Sequence, residues 1–390
     1  MNTVATRDIR GHLRELIKSS GEKQITVAAN IGISEGYLSK FFNGKEINFW
    51  MVRNIVLYLD SENETELMRR YCLDGVKKKN YPAALEYCYA KRLFSVVETL
   101  IDRQIEKDGK LNSWSKIYKF ILENRLSLGS LEYTQRLNEL KSDCHDTKTL
   151  LLILEMYANF QSRKYELTLD KIKKIKKLIS RISDPFLKLA FSARLEEVSV
   201  NIYLKQDNAV YKAREAAHSL HEKNLSVNLN LTALYILALS YMNESYFVSY
   251  EYYKKCIKLL DQFPDRIKEL TQNKEEIAIL QRYWGKEIST EYQVTTFAKA
   301  LATQDSLSSY YEHDFYKRYA LLFDGIKEES AEKLLLSLSF FSQQKDQFRS
   351  TLPKIYLVAG GVEDEKNDGS LNLGVRYTVL RCYKWSIKPF

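Results

Sequence analysis

Side chains that could ligate a metal or attack a substrate are few and scattered in this chain. His218 and His221 form an HxxH on one helix face, which is two ligands, but no third stands nearby in sequence and a metal site needs three or four. The five cysteines, Cys72, Cys88, Cys144, Cys256 and Cys382, include no CxxC pair. That spacing argues for a reducing compartment with buried thiols rather than disulfides or zinc. No phosphate-cradling GxxxxGK or GxGxxG occurs and no HExxH. Gly360-Gly361 reads as a helix stop. The expectation is a binding protein, not an enzyme, with no cofactor and no metal.

The partner chemistry must come from elsewhere. The net charge is +9 and the pI about 9.0, which permits an acidic partner such as DNA without requiring one. The basic runs, Lys77-Lys78-Lys79 and "KIKKIKKLISR" from Lys171 to Arg181, read as solvated helix faces. At 390 residues, 45% hydrophobic, 28% charged and with only five prolines, the chain suits two or three helical units. The N-terminus has no apolar signal region and no stretch reaches the length of a membrane span, so cytoplasm is the default.

One short stretch stands apart: "QITVAANIGISEGYLSKFFNG", Gln24 to Gly44. Before it, Ile9, Leu13, Leu16 and Ile17 share one face of an amphipathic helix. Gln24 to Ile31 reads as a short second helix, Gly32 as a turn needing positive φ, and Ser34 as the N-cap of a third helix carrying Leu38 and Phe41. Ala28 lies four residues before Gly32 and Leu38 six after it. A helix-turn-helix needs a small residue at the helix crossing, Gly in the turn and an apolar residue midway along the second helix. "NFWMVRNIVLYLD" would be a fourth helix. The segment resembles the lambda-repressor-like (Xre) helix-turn-helix. That resemblance implies that Ser34, Glu35, Tyr37 and Lys40 meet base edges while Ser39 and Asn43 point nearer the DNA backbone. It also places Gln24 on a phosphate, with Lys23, Lys45 and Arg53 as further phosphate contacts. Residues 1–60 carry eight Lys/Arg and six Asp/Glu, a weak electrostatic term that calls for a homodimer with two half-sites.

From residue 61 onward the pattern is helix after helix. After residue 145 the helices pair in units of roughly 35 to 45 residues, the signature of a helical-hairpin solenoid. The clearest copy, Leu234 to Leu260, resembles a tetratricopeptide repeat, with Ser249 and Cys256 at small-residue positions and Tyr253 at the aromatic one. Most of the 27 tyrosines are therefore expected in packing roles. Such hairpins make a groove lined by first helices, where Asn side chains can bond a peptide backbone in both directions. Asn201, Asn228, Asn230 and Tyr235 are the candidates. The expected fold is all-α: a helix-turn-helix domain over 1–60, a linker helix over 61–80, a right-handed TPR-like solenoid over 81–360 and a C-terminal segment, 361–390.

A helix-turn-helix joined to degenerate TPR-like hairpins resembles the peptide-sensing regulators of Gram-positive bacteria and their phages. The "YCLDG…ALEYCYAKRLFSVVETLID" and "DQFRSTLPKIYL" blocks are most similar to the arbitrium receptor (AimR) family of Bacillus phages. That resemblance implies a dimeric transcription factor that binds an operator when free of a short signal peptide and loses activity on binding it, favouring lysogeny. It also implies peptide-pocket roles for Asp346, pairing a basic peptide side chain, and Phe348, packing on it. The alternative for this pair is a helix cap and a core Phe. Asn201 resembles the family's backbone-binding asparagine, and the C-terminal segment its dimerisation element. The alternative function is a Rap-like interaction module whose N-terminal helices bind protein.

Overall fold

The computed structural model describes residues 9–359 other than Gly75, Arg125, Leu126, Asp143 and Gln304. Gly360-Gly361, Cys382 and the expected segment 361–390 lie outside the described residues. Within them the regular elements are helices and no strand occurs. The chain divides into two compact units, residues 1–199 with 216–233, and 200–215 with 234–390.

The first unit begins with four short helices: α1 (Ile9–Ser20), α2 (Gln24–Ile31), α3 (Glu35–Phe42) and α4 (Phe49–Leu59). Each buries one apolar stripe: Ile9, Leu13 and Ile17; Val27 and Ala28; Leu38, Phe41 and Phe42; Phe49, Val52, Ile55 and Val56. Leu16 is only half-buried at the edge of its stripe. Burying one such side chain is worth about 1.5–3 kcal/mol, so the stripes suffice to hold helices too short to persist alone. Arg14 closes the C-terminal end of α3 by donating to the Phe42 carbonyl at 2.8 Å.

Next come α5 (Glu64–Leu73), α6 (Tyr81–Ala90), α7 (Phe94–Asp108), α8 (Ser113–Asn124), α9 (Leu131–Glu139), α10 (His145–Gln161) and α11 (Tyr165–Ile179). Pro82 sits in the first turn of α6, where its missing N–H costs nothing. Asn80 ties α6 to α4: its Oδ1 accepts the Phe49 amide at 3.1 Å and its Nδ2 donates to the Ile47 carbonyl at 2.7 Å. The Phe49 ring lies 6.0 Å from Tyr71, 5.6 Å from Tyr87 and 5.2 Å from Phe186. On α11, Ile172, Ile175 and Ile179 point inward while Lys173, Lys174, Lys176 and Lys177 are exposed, the solvated face that the sequence predicts.

Helices α12 (Pro185–Lys205), α13 (Val210–Glu222) and α14 (Val227–Ser240) follow, their residues shared between the units, and then α15 (Tyr246–Leu260), α16 (Ile267–Tyr283), α17 (Thr296–Thr303), α18 (Lys317–Lys327), α19 (Ala331–Gln343) and α20 (Gln347–Ala359) in the second. The repeat positions behave as read: Ser249, Tyr253 and Cys256 are fully buried, and the Ser249 hydroxyl donates to the Ala238 carbonyl at 2.8 Å. At Gly325, a Cβ would lie 3.0 Å from Leu334 Cγ, so glycine sets the approach of α18 and α19.

Many helices end in one device. A residue of positive φ is followed by an amide that reaches back five residues: Ile33 to Ala28, Lys45 to Lys40, Leu93 to Cys88, Lys164 to Asn159, Lys286 to Gln281, Ser330 to Gly325 and Asp346 to Phe341. Glycine supplies the turn at Gly32, Gly44 and Gly285, but Arg92, Arg163, Glu329 and Lys345 supply it elsewhere. A non-glycine residue there costs about 1–2 kcal/mol, a cost offset by the capped carbonyls and the short connection.

Candidate nucleic-acid interface and ligand site

The turn between α2 and α3 forms as its residue types require. Gly32 takes φ 77° and ψ 30°, and the α2 carbonyls of Ala28 and Ala29 are capped by the Ile33 and Gly32 amides. A Cβ at Gly32 would meet nothing within 4 Å, so the backbone angle alone selects glycine. The Ser34 Oγ accepts the Tyr37 amide at 3.3 Å and starts α3. Ala28 and Leu38 are buried where the two helices meet.

Opposite that core, α3 presents Ser34, Glu35, Lys40 and Asn43 to solvent, with Tyr37 and Ser39 half-buried. The Lys40 ammonium stands 5.4 Å from the Tyr37 ring centre, and Asn43 Nδ2 donates to Ser39 Oγ at 3.3 Å. Lys23 and Lys45 are exposed and Gln24 is the first residue of α2. Arg53 requires a correction. It is buried, with its Nε 2.9 Å from Glu64 Oε1, and Lys91 holds the other oxygen at 2.8 Å. A guanidinium spent on this pair is not available to a phosphate.

Gly32-Ile33-Ser34-Glu35-Gly36 also spells GxSxG, the pattern of a serine-nucleophile elbow. An elbow joins a strand to a helix; here the turn joins two helices and Ser34 is a cap. Of the thiols, Cys72, Cys88 and Cys256 are buried as expected, whereas Cys144 is exposed, at the N-cap of α10. Burial pushes the Cys72 thiol well up, and its hydrogen bond and charge coupling to Cys88 push it further. Among the described residues no group of three or more His, Cys, Asp or Glu could hold a metal.

The second unit contains a buried polar cluster that links α20 to α12, α14 and α16. Arg349 on α20 is only 5% exposed. Its Nη1 donates to Asp346 Oδ2 at 2.9 Å, and its Nη2 to Tyr235 Oη at 2.9 Å and to Glu276 Oε1 at 2.5 Å. Tyr235 Oη in turn donates to Glu276 at 2.9 Å. Lys205 lies over the Tyr235 ring at 5.6 Å and donates to Asn201 Oδ1 at 3.1 Å. Burial raises the Asp346 carboxyl pKa, but Arg349 and Lys205 outweigh it and the net shift is downward. The Lys205 ammonium moves down, first through burial, with Arg349 and Arg318 adding to the shift against Asp346 and Glu276. Three cations thus share a buried region with two carboxylates. The Nε atoms of Arg349 and Arg318 are buried without an acceptor among the described residues. The arrangement can take up an anionic group.

Asp346, Tyr235 and Asn201 are therefore drawn into one cluster. The basic group that Asp346 meets is the chain's own Arg349, and its Oδ1 also accepts the Arg349 amide at 3.0 Å, so it caps α20. Phe348 is 1% exposed, a core side chain that offers no free face. Asn228 and Asn230 belong to the first unit, where Asn228 lines a cavity and Asn230 Nδ2 donates to Asn224 at 2.6 Å. Sequence reading overlooks Arg349, Glu276 and Lys205. The i,i+3 spacing of Asp346 and Arg349 is a usable signal; nothing in the sequence marks the other two.

Residues 64–358 match the family described as AimR transcriptional regulator-like. The chain belongs to this family. It is 24% identical over 346 residues to the AimR transcriptional regulator of Bacillus phage SPbeta, covering 83% of this chain and 88% of that protein. Among solved structures, SeMet-phAimR superposes with a TM-score of 0.66 at 19% identity, covering 91% of this chain and 97% of that one. The structure of phAimR-Ligand gives 0.61 at 18% identity, covering 81% and 98%. These likenesses show the all-helical fold expected from the sequence. Among the described residues no helix is long and apolar enough to cross a membrane.

Proposed function

We propose that the chain is a peptide-responsive, DNA-binding transcriptional regulator of a phage lysis–lysogeny decision. In this reading a homodimer free of peptide binds an operator and activates transcription. A short signal peptide held by the hairpin region lowers that activity. The observation that carries the reading is the family match over 64–358, preceded by a left-handed Gly32 turn and a capped α3 with an exposed polar face. The domain boundaries at 60, 80 and 360 belong to the same proposal.

The residues divide by role. Ser34, Glu35, Tyr37 and Lys40 face base edges, Ser39 and Asn43 the sugar–phosphate, and Lys23, Gln24 and Lys45 phosphates. Asn201, Tyr235 and Asp346 contribute to the peptide site together with Arg349. The excess of positive charge in that cluster favours a carboxylate of the peptide, its C-terminus included, as the group it receives. Phe348 packs in the core beneath that site, and Asn228 and Asn230, which belong to the first unit, are left out of it. Peptide acts by population shift: a tenfold change in operator affinity requires only about 1.4 kcal/mol of differential binding.

The test is selection of the full chain on a random duplex library, with and without a pooled library of short synthetic peptides. Enrichment of a two-half-site sequence, lost in Lys40→Ala with the fold intact, is the expected outcome. No enrichment above non-specific binding, or identical enrichment by Lys40→Ala, would overturn the α3 assignment. Thermal stabilisation by selected peptides that Arg349→Met abolishes is the expected outcome for the ligand site.

A further inference from the structure

The first unit holds a cavity of about 220 Å³ that the proposed DNA and peptide sites leave unused. It exceeds the roughly 150 Å³ in which an engineered apolar cavity holds benzene, and falls short of the roughly 300 Å³ at which drug-sized sites begin. A single ring with a small substituent fits that range and a whole peptide does not. Ile121, Leu154, Phe186 and Leu229 make part of the wall apolar.

The charged groups of the wall are engaged with one another and with hydroxyls. Arg194 holds Glu86 through two parallel bonds of 2.9 Å. Glu197 accepts from the Thr232 hydroxyl at 3.2 Å and from the Tyr157 hydroxyl, within the field of the same Arg194. Two carboxylates and one guanidinium leave no surplus of positive charge for an anion, and a cation would compete with Arg194 for either carboxylate. An uncharged molecule disturbs none of these pairs.

Two hydroxyls in the wall remain able to donate. The Tyr133 ring packs 5.0 Å from Phe120 and the residue is 3% exposed, yet its hydroxyl has no hydrogen-bond partner among the described residues. Burial raises its pKa, and the groups that act on it next are Tyr89 and Arg194, both in the cavity wall, which sets the hydroxyl on the cavity side. Ser226 is also buried. Its Oγ accepts the Leu229 amide at 3.1 Å at the start of α14, and its hydrogen has no acceptor among the described residues. The first turn of α14 adds partial positive charge beside it. Buried donors without acceptors are costly, and an oxygen on a ligand relieves the cost.

We propose that this cavity binds a small uncharged carbonyl compound, a ketone, ester or amide on a single ring, whose oxygen accepts from the Tyr133 hydroxyl, with Ser226 the second donor of the wall. The ring rests on Phe186 and the aliphatic side chains. Phe186 also lies 5.2 Å from Phe49, the first residue of α4, so an occupant bears on the helix that closes the helix-turn-helix bundle. This assignment rests on neither the operator nor the peptide.

The experiment is ligand-observed NMR titration of the full chain with acetophenone and with ε-caprolactam, beside ethylbenzene, benzoate and benzylamine, which are similar in size but carry no neutral carbonyl. Saturable binding of either carbonyl probe, tighter than that of the other three, is the expected result. Tyr133→Phe removes only a hydroxyl that bonds nothing in the protein, so it should leave the melting temperature unchanged and weaken carbonyl binding about threefold or more. Ala190→Leu fills the cavity and should abolish binding; should that variant fail to fold, Tyr133→Phe decides alone. Absence of saturable binding by both carbonyl probes overturns the proposal. So does ethylbenzene, benzoate or benzylamine bound as tightly as acetophenone, affinity unmoved by Tyr133→Phe, or binding that survives in folded Ala190→Leu.

Discussion

Replacing Arg349 with methionine should be among the most damaging single changes in the second unit. The guanidinium is buried and serves Asp346, Tyr235 and Glu276 at once. Methionine matches much of its stem but leaves two carboxylates in a low-dielectric region with only Lys205 and Arg318 nearby. Removing one partner of a buried pair costs about 3–5 kcal/mol, because the remaining charge is stranded. At about 2–4 °C per kcal/mol for a unit of this size, that lowers its melting temperature by about 6–20 °C. Denaturant unfolding followed by circular dichroism reads the loss. The triple variant Arg349→Met, Glu276→Gln, Asp346→Asn removes the stranded charges and should recover more than half of it. A loss under about 1 kcal/mol, or a triple variant no better than the single, would refute the argument.

The same cluster has a pH signature with a definite sign. The folded Asp346 carboxyl lies below its ordinary value of 3.8, so its contribution is complete above that value. It is lost as pH falls through the depressed folded value. The stability gap between wild type and Arg349→Met should therefore narrow in strongly acidic solution and stay constant above about pH 6. A gap that widens on acidification contradicts the assignment.

Three further outcomes are expected. Gly32→Ala should cost about 1–2 kcal/mol by backbone strain alone, since a Cβ there meets nothing, and Gly32→Asn should recover part of it; hydrogen exchange across α2 and α3 is the readout. Gly325→Ala forces its Cβ to 3.0 Å from Leu334 and should cost about 1–3 kcal/mol in urea unfolding, reduced when Leu334 is shortened to Val. Of the four described thiols, Cys144 should be alkylated first under native conditions, with Cys72, Cys88 and Cys256 modified only on unfolding, as peptide mass mapping would show.

Local chemistry is what the sequence displays well. The helix-turn-helix was legible because Gly32, Ser34 and Ala28 act within a few residues of where they stand. The same holds for the 3.6-residue stripes of the hairpins and for Ser249, Tyr253 and Cys256 in the repeat. What failed was long-range pairing. The helix-turn-helix resemblance makes Arg53 a phosphate contact, and only the approach of α5 reveals Glu64 opposite it. Arg194 and Glu86 lie 108 residues apart, and no pattern joins them. Helix ends without glycine were hard to place for a different reason. Arg92, Arg163, Glu329 and Lys345 adopt the left-handed turn that glycine takes elsewhere, and their residue types do not mark it.

The burial of Arg53 against Glu64 lowers the positive charge of the proposed DNA interface. Residues 1–60 hold eight basic and six acidic side chains, and the Arg53 charge is neutralised by a carboxylate from outside that segment. Arg14 donates to the Phe42 carbonyl and Lys18 is exposed at the end of α1; among the described residues Lys23, Lys40 and Lys45 are the exposed cations that flank α2 and α3. Each phosphate neutralised contributes a salt-dependence slope of about 0.9, so one such head would show a slope near 3 and bind weakly at physiological salt. Useful operator affinity then requires two heads on one duplex, and the measured slope should come near twice the single-head value. A slope well above that would mean that basic surface outside the helix-turn-helix, such as the exposed lysines of α11, also touches the backbone.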